Sequence, residues 1–121
     1  VLDTISKLLS LFKETDEEER CGVVLKSGRV VELRNVAPDP KIGFRLDPAE
    51  LLHWLTRKRS PAVATWHTHP GQTPNLSEED YAGFLQWPDL KHYIVGVKAG
   101  RPTVATYEVD NGIIVAVGGT V

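Results

Sequence analysis

Residues 62–80 read Ala-Val-Ala-Thr-Trp-His-Thr-His-Pro-Gly-Gln-Thr-Pro-Asn-Leu-Ser-Glu-Glu-Asp, and this stretch decides the fold. Residues 62–67 are small and apolar on both sides, which predicts a central strand. The loop 70–75 holds two prolines and a glycine. Residues 76–86 open with Ser77 as a cap and predict a helix, which Pro88 stops. Strand side chains alternate faces, so a strand carrying His67 and His69 sends both to one side, with Cα atoms about 6–7 Å apart. Two imidazoles then converge on one ion, and Asp80 offers a third ligand from the helix. Three protein ligands leave the fourth tetrahedral position to water, the arrangement of catalytic zinc and not of structural zinc. The same Ser77 and Asp80 also spell a capping box, Ser77 as N-cap and Asp80 at the third helical position. Ser77 can serve both purposes; for Asp80 they compete.

Outward from this stretch, Leu2, Ile5, Leu8, Leu9 and Phe12 recur at helical spacing behind Asp3 or Thr4 and predict a first helix ending near Thr15. Residues 21–26 and 29–34 flank Ser27-Gly28 and read as a hairpin. A loop spans 37–40, and a short strand is expected at 43–46. Asp47, Pro48 and Glu50 predict a capped helix start, with Arg57, Lys58 and Arg59 in the last turn complementing the helix dipole. Segments 92–98, 103–109 and 113–117 read as strands with turns at 100–102 and 110–112. The fold class is α+β, one mixed sheet flanked by helices.

The chain has 121 residues, expected to form a single domain over 1–121. With 41% hydrophobic residues it can bury a core without disulfides or structural metal. A net charge of −2 makes no electrostatic case for nucleic acid or an anionic membrane. No apolar run approaches membrane-span length, and the opening residues show no signal-peptide pattern. Cys21 is the lone cysteine, which rules out an intrachain disulfide and fits a reducing, cytoplasmic setting. A chain that opens at Val1 without methionine is expected to be trimmed, or a piece of a longer protein.

A zinc hydrolase also needs a base beside its water. Glu19 sits where the first strand begins and reaches the His67 strand if the two are neighbours. Glu17 would share its side of the chain, and Glu18 would face away. His53 and His92 read as ordinary boundary histidines, and Cys21 as a small buried strand residue. Trp54, Trp66 and Trp87 read as core or groove walls, with Trp66 turned away from His67.

Taken together, Glu19-x-Cys21-Gly22, then His67-Thr68-His69-Pro70, then Ser77-x-x-Asp80 resemble the signature of the JAMM (MPN-plus) zinc metalloproteases. The resemblance implies a cytidine-deaminase-like α+β domain. It implies that His67, His69 and Asp80 bind zinc and that Glu19 carries the proton from water to the leaving amine. Ser77 would hold the developing oxyanion, and the product would be a hydrolysed peptide or lysine isopeptide bond. The wording is most similar to short bacterial and phage tail-assembly members, which implies a protein or peptide substrate such as a ubiquitin-like or phage tail protein, in the cytoplasm or a virion. Ubiquitin-cleaving relatives carry two insertions. Here only Trp87, Pro88 and Asp89 are expected between the site helix and the next strand, so a shallow groove along a strand edge is the expected substrate seat. Two other readings stand beside this one: a non-catalytic MPN-type binding or tail-assembly module, and an enzyme of peptidoglycan cross-bridges.

Overall fold

The structure is a computed structural model and describes residues 3–117. In chain order its elements are α1 (Thr4–Leu11), β1 (Cys21–Leu25), β2 (Val30–Leu33), α2 (Pro48–Leu55), β3 (Ala62–Thr68), α3 (Glu78–Leu85), β4 (Lys91–Lys98), β5 (Arg101–Asp110) and β6 (Ile113–Val117). The strands make one six-stranded sheet in the order β2-β1-β3-β4-β5-β6. Every neighbouring pair is antiparallel except β3 and β4, which run parallel. A parallel pair cannot be closed by a tight turn, and α3 makes the crossover. The single mixed sheet with helices on it is the α+β class expected.

Alternation along β3 divides the core. Trp66 packs with Val24, Ala64, Val95 and Val104 beneath Leu8 and Phe12 from the α1 side. On the opposite face, Leu51 of α2 covers Val23, Leu25 and Ala62. Phe84 of α3 covers Ile94, Ala105 and Tyr107 on that face. Each such large apolar side chain contributes roughly 1.5–3 kcal/mol of burial. Six of the seven β3 residues are buried, all but Val63, as a central strand requires.

Several local expectations are corrected. Leu2 lies outside the described residues, and α1 ends at Leu11, short of Thr15, because Phe12 turns to extended backbone and buries its ring. Segment 43–46 is not a strand: the Arg45 N–H goes to the Asn35 side chain instead of a ladder partner. Asp47 precedes α2, but its side chain makes no capping bond, so the box with Glu50 is absent and Pro48 alone presets the first turn. Helix α2 stops at Thr56, leaving Arg57, Lys58 and Arg59 beyond it, with the Arg57 guanidinium 5.0 Å over the Trp54 ring. The β4–β5 turn sits at Ala99-Gly100, one residue earlier than expected, which places Arg101 and Pro102 in β5.

His92 is the one histidine buried away from the others, at 1% exposure. Its Nε2–H donates to the Trp87 carbonyl at 3.1 Å, so Nδ1 accepts from the Thr65 hydroxyl at 2.7 Å. The Phe84 ring stacks on it at 4.1 Å. Burial pushes its pKa down to about 4, so the ring is neutral at pH 7. Below pH 6.5 the unfolded chain takes up a proton that the folded ring refuses. The stabilisation is therefore full above pH 6.5 and is lost as pH falls through about 4, a total near 3 kcal/mol. Urea unfolding from pH 7 to 4 should show a drop larger in the wild type than in His92→Gln by about this amount, since His67, also depressed by burial, contributes to both. Parallel curves would refute it.

Candidate metal centre

Register brings the site together. Cys21 pairs with His67 across β1 and β3, so Glu19, just ahead of β1, lies beside the end of β3. His69 stands one residue past β3, and its backbone N–H donates to the Val95 carbonyl at 2.7 Å, which prolongs the β3–β4 pairing. The chain then folds back over β4 at Gly96. A Cβ on Gly96 would stand 2.5 Å from the Gln72 oxygen, so only glycine admits the loop there. The Val97 N–H seals the contact by donating to that oxygen at 2.7 Å. From this loop α3 starts as the capping box required: Ser77 Oγ accepts from the Asp80 N–H at 3.1 Å, and Asp80 Oδ2 accepts from the Ser77 N–H at 3.2 Å.

The helix start aims the Asp80 carboxylate at both imidazoles. Oδ1 is 3.0 Å from His67 Nε2, and Oδ2 is 3.1 Å from His69 Nε2. The two Nε2 atoms are 3.1 Å apart. Capping and facing the histidines do not compete for Asp80: one carboxylate does both, because its two oxygens have lone pairs for each. One atom each of Glu19, His67 and His69 also lie within 4.8 Å of one another.

The donor set fits a divalent ion. The Thr73 carbonyl can only accept, so His69 Nδ1 carries the proton in its 3.0 Å bond to it. In neutral His69 the Nε2 lone pair is then bare, and it faces a carboxylate oxygen and a second imidazole nitrogen. With the proton of His67 on its unpartnered Nδ1, all three groups turn lone pairs to one point and a single cation satisfies them together; with it on Nε2, His67 donates to Asp80 instead. Metal bonds of about 2.0–2.1 Å to three tetrahedral corners set those corners about 3.3 Å apart. The observed spacings of 3.0–3.1 Å lie close to that. The buried His67 Nδ1 has no hydrogen-bond partner among the described residues; its ring is held instead by Phe44, stacked at 4.0 Å, and by the Phe84 edge.

Electrostatics follow from burial and from the trio. Burial works to raise the Asp80 pKa, but hydrogen bonds from His67, His69 and the Ser77 amide outweigh it and hold the carboxyl well below the usual range. Burial depresses His67 against the pull of Asp80. His69 is also buried, yet Asp80 and the Thr73 carbonyl carry it upward. Burial lifts Glu19 to about 7, with the His69 charge opposing and the Asp80 charge adding. Cys21 is pushed up to about 12 by burial, so its thiol is inert, in keeping with a packing role.

Among the three neighbouring glutamates, Glu17 and Glu18 are exposed and Glu19 is 8% exposed. Glu19 Oε1 has no hydrogen-bond partner among the described residues, and Glu19 lines a cavity of about 140 Å³ shared with Glu17, Lys41, Ile42 and His69. Ile42 also walls a larger cleft of about 780 Å³ between α2, α3 and segment 37–46. Of the two site histidines, His69 lines the smaller cavity and neither lines the larger cleft, whose histidine is His92. Five residues, 86–90, join α3 to β4, where three were expected. The structure thus brings Glu19, His67, His69, Ser77 and Asp80 to one place. Asn35 and Phe44 belong to the same neighbourhood and carry no periodic or motif signal in the sequence. His53 is exposed on α2 and takes no part.

The Prok-JAB family description, prokaryotic homologs of the JAB domain, matches residues 2–109. The solution structure of a Desulfitobacterium hafniense protein superposes with a TM-score of 0.69 at 21% identity, covering 92% of this chain and 83% of that one. A Salinibacter ruber protein, also solved in solution, gives 0.57 at 15% identity over 97% and 89%. At such identities the likeness is one of fold. No curated protein matches the sequence.

Proposed function

The chain belongs to the prokaryotic homologs of the JAB domain, and on that premise we propose that it is a zinc-dependent hydrolase of peptide or isopeptide bonds. The carrying observation is the meeting of His67 Nε2, His69 Nε2 and the Asp80 carboxylate within 3.0–3.1 Å, a spacing at which one cation can take all three as ligands. His67, His69 and Asp80 would hold the ion. Bound zinc supplies Lewis acidity, polarising the scissile carbonyl and acidifying water to a pKa near 7.

The residues of the chain do the rest. Glu19, buried beside His69, would take the proton of the attacking water on its carboxylate and deliver it to the leaving amine nitrogen. Ser77 Oγ accepts from the Asp80 amide, which leaves its hydroxyl proton free to donate to the carbonyl oxygen as charge develops there. Phe44 and Phe84 clamp the His67 ring and exclude water from its far side. The substrate is a protein or peptide, with a ubiquitin-like or tail-type protein as the first class to screen. The competing reading is a non-catalytic binding module, favoured by the fact that the capping box accounts for Ser77 and Asp80 without a metal.

Elemental analysis separates the two. The expected result is about one zinc per wild-type chain and none in a folded His69→Ala variant. Wild type that stays metal-free after incubation with zinc would overturn the proposal. Retention of stoichiometric zinc by His69→Ala would overturn the ligand assignment.

A further inference from the structure

Glu19 gets no backbone partner from the sheet. Its N–H donates to the Pro40 carbonyl at 2.7 Å, and its carbonyl accepts from Asn35 Nδ2 at 2.9 Å. The same Nδ2 donates to the Gly43 carbonyl at 3.0 Å. Asn35 Oδ1 accepts from the Ala37 N–H at 3.0 Å and the Arg45 N–H at 3.1 Å. Two donors and two acceptor sites are the full capacity of one carboxamide, and the four partners fix which end is nitrogen. Beyond the bond from the Val36 N–H to the Arg45 carbonyl at 2.9 Å and the turn bond from the Ile42 N–H to the Asp39 carbonyl at 3.2 Å, it is this side chain that holds the loop's course. The loop so folded carries Phe44, which stacks on His67, and Ile42, which walls the cavity over Glu19.

We propose that Asn35 is the positioning residue of the centre: its carboxamide ties the Glu19 backbone to the loop that braces His67, and so sets where the Glu19 carboxylate stands relative to the histidines. The inference rests on the reading of Glu19 as proton carrier for its kinetic consequence, and on geometry alone for its structural one. Asn35 touches neither substrate nor metal, and it acts through Glu19.

Asn35→Asp tests it. The change is isosteric and keeps the two accepted bonds. It loses both donated bonds and sets a carboxylate oxygen against the Glu19 and Gly43 carbonyls. Amide hydrogen exchange should speed at least tenfold at Glu19, whose N–H bond to Pro40 lies in the tied loop, while β3 amides stay protected. Zinc content should not change. On an amide substrate, kcat should fall about 100-fold, the scale of a 1 Å misplacement, with KM little altered. In a Glu19→Gln background the same change should cost almost nothing further, since a residue acting through Glu19 has nothing left to position. Additive losses, or a rise in KM with kcat kept, would mean a structural role and overturn the proposal. Unchanged exchange at Glu19 would overturn it whether or not the protein proves to be a hydrolase. If Asn35→Asp does not fold, Asn35→Ser, which removes all four bonds without adding charge, must show the same exchange pattern or the proposal fails.

Discussion

Glu19→Gln is expected to keep its zinc and to lose turnover by about 100- to 10,000-fold, the usual worth of a positioned proton carrier. Glutamine has the same shape and can still lie in the pocket, but it cannot take a proton from water. The ion should stay because His67, His69 and Asp80 already face one another without help from Glu19. A second consequence has the opposite sign. Burial raises the Glu19 pKa to about 7, so folding works against the charge of this group. A neutral amide escapes that conflict, and the variant should melt no lower than wild type. Loss of activity with stability held or gained marks a group kept for function and not for packing. Zinc analysis, steady-state rates and a melting curve on one preparation settle it. Full turnover in Glu19→Gln would place the proton carrier elsewhere.

Gly22→Ala is expected to cost the fold about 2–6 kcal/mol, a large share of the ~5–15 kcal/mol that holds a typical domain together. A Cβ on Gly22 would stand 1.9 Å from the Val31 carbonyl oxygen and 2.7 Å from Trp66 Nε1. The Trp66 indole crosses β1 over this glycine to donate to that same carbonyl at 3.2 Å. A methyl group must displace either the β2 backbone or a fully buried tryptophan, and the donor and acceptor then part inside the core. Gly83→Ala is the matched control. It lies within α3 with open space around its Cα, and alanine there should add roughly 0.5–1 kcal/mol by helix propensity. Urea midpoints should therefore move in opposite directions. Equal midpoints for Gly22→Ala and wild type would show that the Trp66 bridge yields at no cost.

Where the sequence spoke through period and spacing, the structure agrees with it. The His67 strand is central, Trp66 faces away from the histidines, α3 is capped by Ser77, and the Asn111-Gly112 turn joins the last two strands. These features are local, and their signals lie within a few residues. The closeness of Glu19 to His69 depended on β1 pairing with β3, and a register 48 residues apart is written nowhere in a window. The loop 35–46 was the least legible part. Its course follows from the side chain of Asn35 and not from any pattern, so Gly43 to Leu46 looked like a strand while Arg45 bonded sideways. Asp80 was legible twice over, as cap and as candidate ligand, and the sequence could not tell that one carboxylate closes the cap while facing both histidines. Arg57 to Arg59 looked like helix residues because their charge suits a helix end, but Thr56 bonds back to Leu52 through both its N–H and its hydroxyl and closes the helix first.

The three residues that face one another across the centre come from one contiguous run, the end of β3, its loop and the first turn of α3, all within residues 67–80. Glu19 arrives from the other end of the domain. Short loops close at little entropic cost, so the run can gather around an ion while β1 and β2 are still unpaired. On the proposed ligand assignment, the unfolded or half-folded chain would then have an affinity of its own for zinc. Zinc will consequently raise the unfolding free energy by less than its affinity for the native protein implies, since only the difference in binding between the two states counts. The same assignment would let a chain take up its metal before it is complete: ion capture would be a local event, and the approach of Glu19 would wait on the long-range closure of the sheet.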